Sequence, residues 1–105
     1  MSQDLVKKLE DLMNAMKDWG RKPVLKSGHI VVELVKLPER KTKTTARPAH
    51  LAIMIRREDA FRGIIIEEPD ELEDLIVAVT TPKLKELINA VYKILKKHRV
   101  QEFEL

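Results

Sequence analysis

Four apolar, largely β-branched runs, at residues 29–37, 50–57, 61–67 and 75–80, are joined by links of which none holds ten or so residues of helical pattern, the last having room for one helical turn. A parallel pair of strands needs a crossover of about a dozen or more residues, usually a helix, to return the chain to the start of the next strand. The link 38–49 holds Pro38, Pro48 and a Thr-rich centre with neither a helical nor a strand period, so it reads as a mobile loop. The links 58–60 and 68–74 are shorter, the second an acidic connection through Pro69. The expected sheet is therefore a four-stranded antiparallel meander.

Longer periodic segments stand at both ends. Leu5, Leu9, Leu12, Met13, Met16 and Trp19 recur at three- and four-residue steps and predict a helix over 3–19, with Ser2 as its cap and Gly20 as its stop. Trp19 continues that stripe and reads as a core edge. Val24 and Leu25 form a short apolar pair before a turn at Lys26-Ser27-Gly28. Thr81-Pro82 opens a second helix over 82–98, whose apolar face is Leu84, Leu87, Ile88, Val91 and Leu95. The tail 100–105 alternates weakly and suits an edge strand or disorder. The expected fold class is α+β: one domain over 1–105, an antiparallel sheet flanked by one N-terminal and one C-terminal long helix.

Charge is distributed unevenly along this frame. The net charge is only +3, yet from Arg40 to Arg57 there are six Lys or Arg residues and no Asp or Glu. Unopposed positive charge on a loop beside a strand suits a polyanion. Arg40, Lys41, Lys43 and Arg47 lie on the loop, and Arg56 and Arg57 end the strand that it feeds. His50, Ala52, Met54 and Arg56 share one face of that strand, softly apolar and basic at its end, which suits unstacked bases. Phe61, beside Arg62, is the nearest candidate for a stacking platform. The acidic run Glu67, Glu68, Asp70, Glu71, Glu73, Asp74 matches no ion-binding loop and reads as a solvated connection.

Chemistry has little to work with. There is no Cys, so thiol catalysis and Cys-ligated metal are excluded. His29, His50 and His98 fall in separate elements with no metal-ligand spacing. Ser occurs only at 2 and 27, and Gly only at 20, 28 and 63, which leaves no Ser nucleophile and no glycine-rich phosphate loop. The expectation is a protein that is no enzyme, holds no cofactor or metal, and is cytoplasmic, with neither signal peptide nor membrane span. A chain that is 35% charged and has only two Gln fits a thermophilic source.

The strands are apolar on both faces. Two helices could cover both, or one face could remain for a second copy of the chain or for bases.

With its N-terminal helix, four strands, C-terminal helix and the run His50-Leu51-Ala52-Ile53-Met54-Ile55-Arg56-Arg57 beside a basic loop, the chain resembles the ThermoDBP-related proteins, single-stranded-DNA-binding proteins of archaeal hyperthermophiles. The resemblance implies binding of single-stranded DNA or RNA in a cleft with an apolar floor and a rim of Arg40, Lys41, Lys43, Arg47, Arg56 and Arg57. Aromatic residues are scarcer than such a cleft would use, and the chain ends before the long C-terminal zipper of the larger members. A second resemblance is to the positive-cofactor-type transcriptional coactivators, which dimerise and bind single strands but lack the long N-terminal helix. The remaining alternative is a structural protein that dimerises through an apolar sheet face.

Overall fold

The structure is a computed structural model that describes the backbone of residues 3–103 and the side chains of residues 3–98. The chain divides into two units, Met1–Glu67 and Glu68–Leu105.

The first unit contains α1 (Gln3–Ala15), β1 (Arg21–Ser27), β2 (Ile30–Leu37), β3 (Arg40–Lys41), β4 (Ala46–Arg47), β5 (His50–Arg57) and β6 (Ile64–Ile66). Its main sheet is four-stranded and antiparallel, in the order β1-β2-β5-β6. The expected meander is present, built partly from other residues. The run 75–80 is helical, and the fourth strand is β1, at the opposite end of the unit. Pro23 hides β1 in the sequence. It sits on an edge strand, where no neighbour needs its missing N–H, and the ladder shifts register between Pro23 and Leu25.

β1 and β2 meet through Gly28-His29, with Ser27 opposite Ile30 and Gly28 at φ 57°. A positive φ at the first central residue of a two-residue hairpin favours glycine. β2 and β5 pair without a break from Ile30↔Arg57 to Leu37↔His50. Beyond Leu37 and His50, where Pro38 and Pro48 interrupt the hydrogen bonding, the two strands continue as a ribbon with Arg40 opposite Arg47 and Lys41 opposite Ala46. The Thr42 amide donates to the Thr45 carbonyl at 2.7 Å and the Thr45 amide donates to the Thr42 hydroxyl at 3.0 Å, closing the tip. The segment read as a mobile loop is thus a structured β-ribbon.

Alternation along β2 and β5 gives one face Glu33, Val35, Leu37, His50, Ala52, Met54 and Arg56. Val35, Leu37, Ala52 and Met54 are the buried cluster, with Ile65 of β6 packed against it. Val35 and Met54 are 1% and 2% exposed. α1 ends at Ala15, short of the expected 19. Trp19 leaves the helical stripe with φ 64°, donates its amide to the Lys36 carbonyl at 2.7 Å, and Gly20 accepts from the Lys36 amide. The proposed cap at Ser2 lies outside the described residues.

The second unit is a pair of helices, α2 (Pro69–Thr80) and α3 (Pro82–Phe103). Pro69 begins α2 and the Glu68 amide donates to the Glu71 carboxylate at 3.0 Å, the reach-back of a capping box. The expected strand 75–80 is corrected by this helix. Leu72, Leu75, Ile76 and Val79 already sat at helical spacing, and the β-branched run Ile76-Val77 masked it. Thr81 is extended (φ −65°, ψ 124°), the conformation that a following proline imposes, so the chain stops one helix and starts the next in a single residue. α3 begins at Pro82 as expected and runs through Val100 to Phe103, so this part of the tail is neither a strand nor disordered. No helix among the described residues is long and apolar enough to cross a membrane.

Candidate nucleic-acid interface

Two hollows open on the first unit, one bordered by the ribbon and one by the segment before β6. Gly63 brings that segment close: a Cβ there would overlap the Ile55 carbonyl and the Arg56 Cα, so only glycine lets the chain lie against β5. The approach places Phe61 beside the sheet, 76% exposed as a residue, with the Arg21 guanidinium over its ring at 4.4 Å from the centroid. Trp19 stands across from it, 55% exposed. Between them lies a hollow of about 160 Å³ walled by Val35, Met54 and Ile65, with Arg21 and Arg62 at its edge.

Trp19 also borders a second hollow, of about 150 Å³, together with Leu37, Arg40, Arg47, His50, Ile65 and Glu67. Here the lining is polar. The Glu67 carboxylate lies 2.7 Å from His50 Nε2 and 3.5 Å from Arg47. The His50 hydrogen bond holds its pKa below the ordinary carboxylate value, assisted by the charges of Arg47, His50 and Arg40 and opposed by burial. His50 Nδ1 lies 2.9 Å from the Pro48 carbonyl. Arg40 and Arg47, directly opposite across the ribbon, keep two guanidinium groups at this hollow.

The expected site residues separate into three groups. Arg40, Arg47, His50, Met54 and Phe61 come together around the two hollows. Lys41 and Lys43 stay exposed on the ribbon, Lys41 3.5 Å from Glu39. Arg56 and Arg57 do other work. Arg56 Nε donates to buried Glu33 at 2.7 Å, and its NH1 donates to the carbonyls of Arg57, Glu58 and Ala60, tying down the turn after β5. Arg57, one residue on, belongs to the opposite sheet face and pairs with Asp59.

From the sequence, Trp19 reads first as a core edge and only after Phe61 as a stacking candidate, Glu67 reads as solvated, and Arg21 carries no signal. Glu33 had no signal beyond a lone acid in an apolar run, where burial requires a cationic partner. Arg56 and Arg21 supply it, Arg21 at 3.6 Å, and the Arg56 hydrogen bond lowers the pKa of Glu33.

No protein-family model matches the chain, and no curated protein or solved structure is significantly similar to it.

Proposed function

We propose that this protein is a non-enzymatic binder of single-stranded nucleic acid. Unstacked bases rest against Trp19 and Phe61, and phosphates follow Arg40, Lys41, Lys43 and Arg47. One observation carries the reading: two exposed aromatic residues, Trp19 and Phe61, border one apolar-walled hollow, and four arginines are shared between it and a second hollow that Trp19 also borders. Base–aromatic stacking contributes about 1–3 kcal/mol per base and tolerates any sequence, while a positive track follows the backbone. The resemblance to the ThermoDBP-related proteins points the same way. A duplex keeps its bases stacked within the helix and offers Trp19 and Phe61 no ring faces. Both ring nitrogens of His50 are engaged, and no serine or cysteine stands beside it as a nucleophile among the described residues.

The test is a titration of labelled single-stranded DNA, single-stranded RNA and duplex DNA. Trp19 is the sole tryptophan, so its intrinsic fluorescence reports stacking directly. Quenching by single strands with weak duplex binding is the expected result. Equal affinity for duplex, with Trp19 emission unchanged, would refute the reading.

A second reading, self-association of the chain, is favoured by the helices. Leu84, Leu87, Ile88, Val91, Ile94 and Leu95 of α3 are all exposed. Light scattering across a dilution series decides it: a constant monomer mass removes this reading and leaves strand binding unaffected.

A further inference from the structure

The two hollows that share Trp19 differ in what they offer a base. The hollow beside Phe61 presents a ring face and aliphatic walls formed by Val35, Met54 and Ile65, with two arginines at its edge. The hollow beneath the ribbon combines the other border of Trp19 with Arg40, Arg47, His50 and Glu67. A cavity of about 150 Å³ accommodates one benzene-sized ring, so each hollow accepts one six-membered ring of a single base and not a whole enclosed purine. The strand would place consecutive bases on either side of Trp19, one held by stacking and one offered a set of hydrogen-bonding groups.

Resting on the strand-binding reading above, we propose that the hollow under the ribbon is a guanine-preferring subsite, in which the base lies on Trp19 and presents O6 and N7 to the Arg40 and Arg47 guanidinium groups. The donor set selects the base. His50 is committed at both nitrogens, to Glu67 and to the Pro48 carbonyl, and Glu67 in turn steadies Arg47. Arg40 is exposed on the ribbon and acts on Glu67 through its charge, with its planar fork turned to the hollow's border. Guanine presents two adjacent acceptors that match such a fork, the commonest specific contact between arginine and a base. Adenine and cytosine place an amino donor on the corresponding edge, and thymine or uracil offers only a carbonyl there. Like charges directly opposed across a two-stranded ribbon are unfavourable by themselves. An acceptor-rich edge between Arg40 and Arg47 turns that opposition into a clamp. The Phe61 hollow, reading by stacking, would leave the neighbouring position unselective.

The experiment uses a labelled thymidine strand of about 12 nucleotides, a length within the usual range for a single-strand site. Three versions carry one central dG, dA or dC in place of thymidine. The parent protein should bind the dG strand about 5- to 50-fold more tightly than the other three, the discrimination expected of one good bidentate contact. A variant with both Arg40→Lys and Arg47→Lys keeps the charge and loses the forks. It should lose the dG preference and bind the four strands within about twofold of one another, whatever its overall affinity. Equal affinity of the parent for all four strands overturns the base preference and leaves strand binding intact. A dG preference that survives in the double Lys variant overturns the assignment to Arg40 and Arg47. Failure to bind any strand overturns both readings.

Discussion

His50 Nε2 and Glu67 Oε1 are 2.7 Å apart, while the other ring nitrogen of His50 faces a backbone carbonyl at 2.9 Å. The pair joins the start of β5 to the residue after β6 and supports the base of the ribbon. A carboxylate whose pKa is lowered by folding contributes stability above its ordinary value and loses that contribution as the pH falls through the lowered value. Glu67 is such a group, with the His50 hydrogen bond as the main cause. Glu67→Gln should therefore flatten the fall of melting temperature on acidification from about pH 5 to pH 3, which thermal scans across that range would register. Parallel acid limbs in parent and variant would show that the link does not contribute.

Glu33 carries the heavier structural duty. It is a buried acid bridging Arg56 and Arg21. Glu33→Ala leaves the mostly buried Arg56 without its carboxylate and should cost about 2–3 kcal/mol by urea unfolding, the range for a hydrogen bond to a charged group plus the unmet partner. Glu33→Ala and Arg56→Ala together should cost clearly less than the sum of the two single changes, because both remove the same contact.

Phe61 separates binding from folding. The residue is 76% exposed, so Phe61→Ala should alter stability by no more than about 0.5 kcal/mol. Strand affinity should fall by about 1–3 kcal/mol if a base stacks on the ring, with the salt dependence unmoved. An equilibrium titration beside a urea melt distinguishes this from a general loss of structure.

The ribbon governs the electrostatic part. Each phosphate neutralised on a single strand contributes about −0.7 to the log–log slope of affinity against salt. Replacing Arg40, Lys41 and Lys43 together by Ala should flatten that slope by about 2 units. Arg57→Ala should leave it unchanged, because Arg57 is on the other sheet face with Asp59. A slope that responds to Arg57 and ignores the ribbon would move the binding surface to that opposite face.

Gly63→Ala should weaken both folding and binding, since its Cβ would collide with the β5 backbone rather than with a movable side chain. Urea unfolding measures the first effect and the strand titration the second. A stable variant that still binds would show that the segment carrying Phe61 can shift without consequence.

The elements legible in the sequence were those whose local pattern and final environment agree. β2 and β5 are continuous β-branched runs at the centre of the sheet, and α3 announces its start with Thr81-Pro82. Residues 75–80 misled because β-branched residues tolerate a helix once Pro69 and the Glu68–Glu71 reach-back have started one. β1 was hidden because an edge strand accepts a proline and exposed lysines that a central strand would refuse. At the site, the basic run directed attention to Arg40, Arg47 and His50. The partners that fix them come from distant segments: Trp19 from before β1 and Glu67 from after β6. Separating Arg56 from Arg47 required knowing that Glu33 lies on the same sheet face, which strand pairing alone determines.

The left-handed backbone of Trp19 has a consequence of its own. A non-glycine residue in that conformation is disfavoured by roughly 1–2 kcal/mol, and glycine there is not. Trp19→Gly would exchange the strain for a lost, half-exposed ring, so the fold should tolerate the change far better than the groove does. A residue strained in this way without serving the interior bears on how the position would drift. Selection for stability alone would favour glycine at 19, and only a requirement for the indole would hold tryptophan there. Sequencing a library randomised at 19, sorted once for folding and once for capture of single strands, would expose the conflict as two different winning residues.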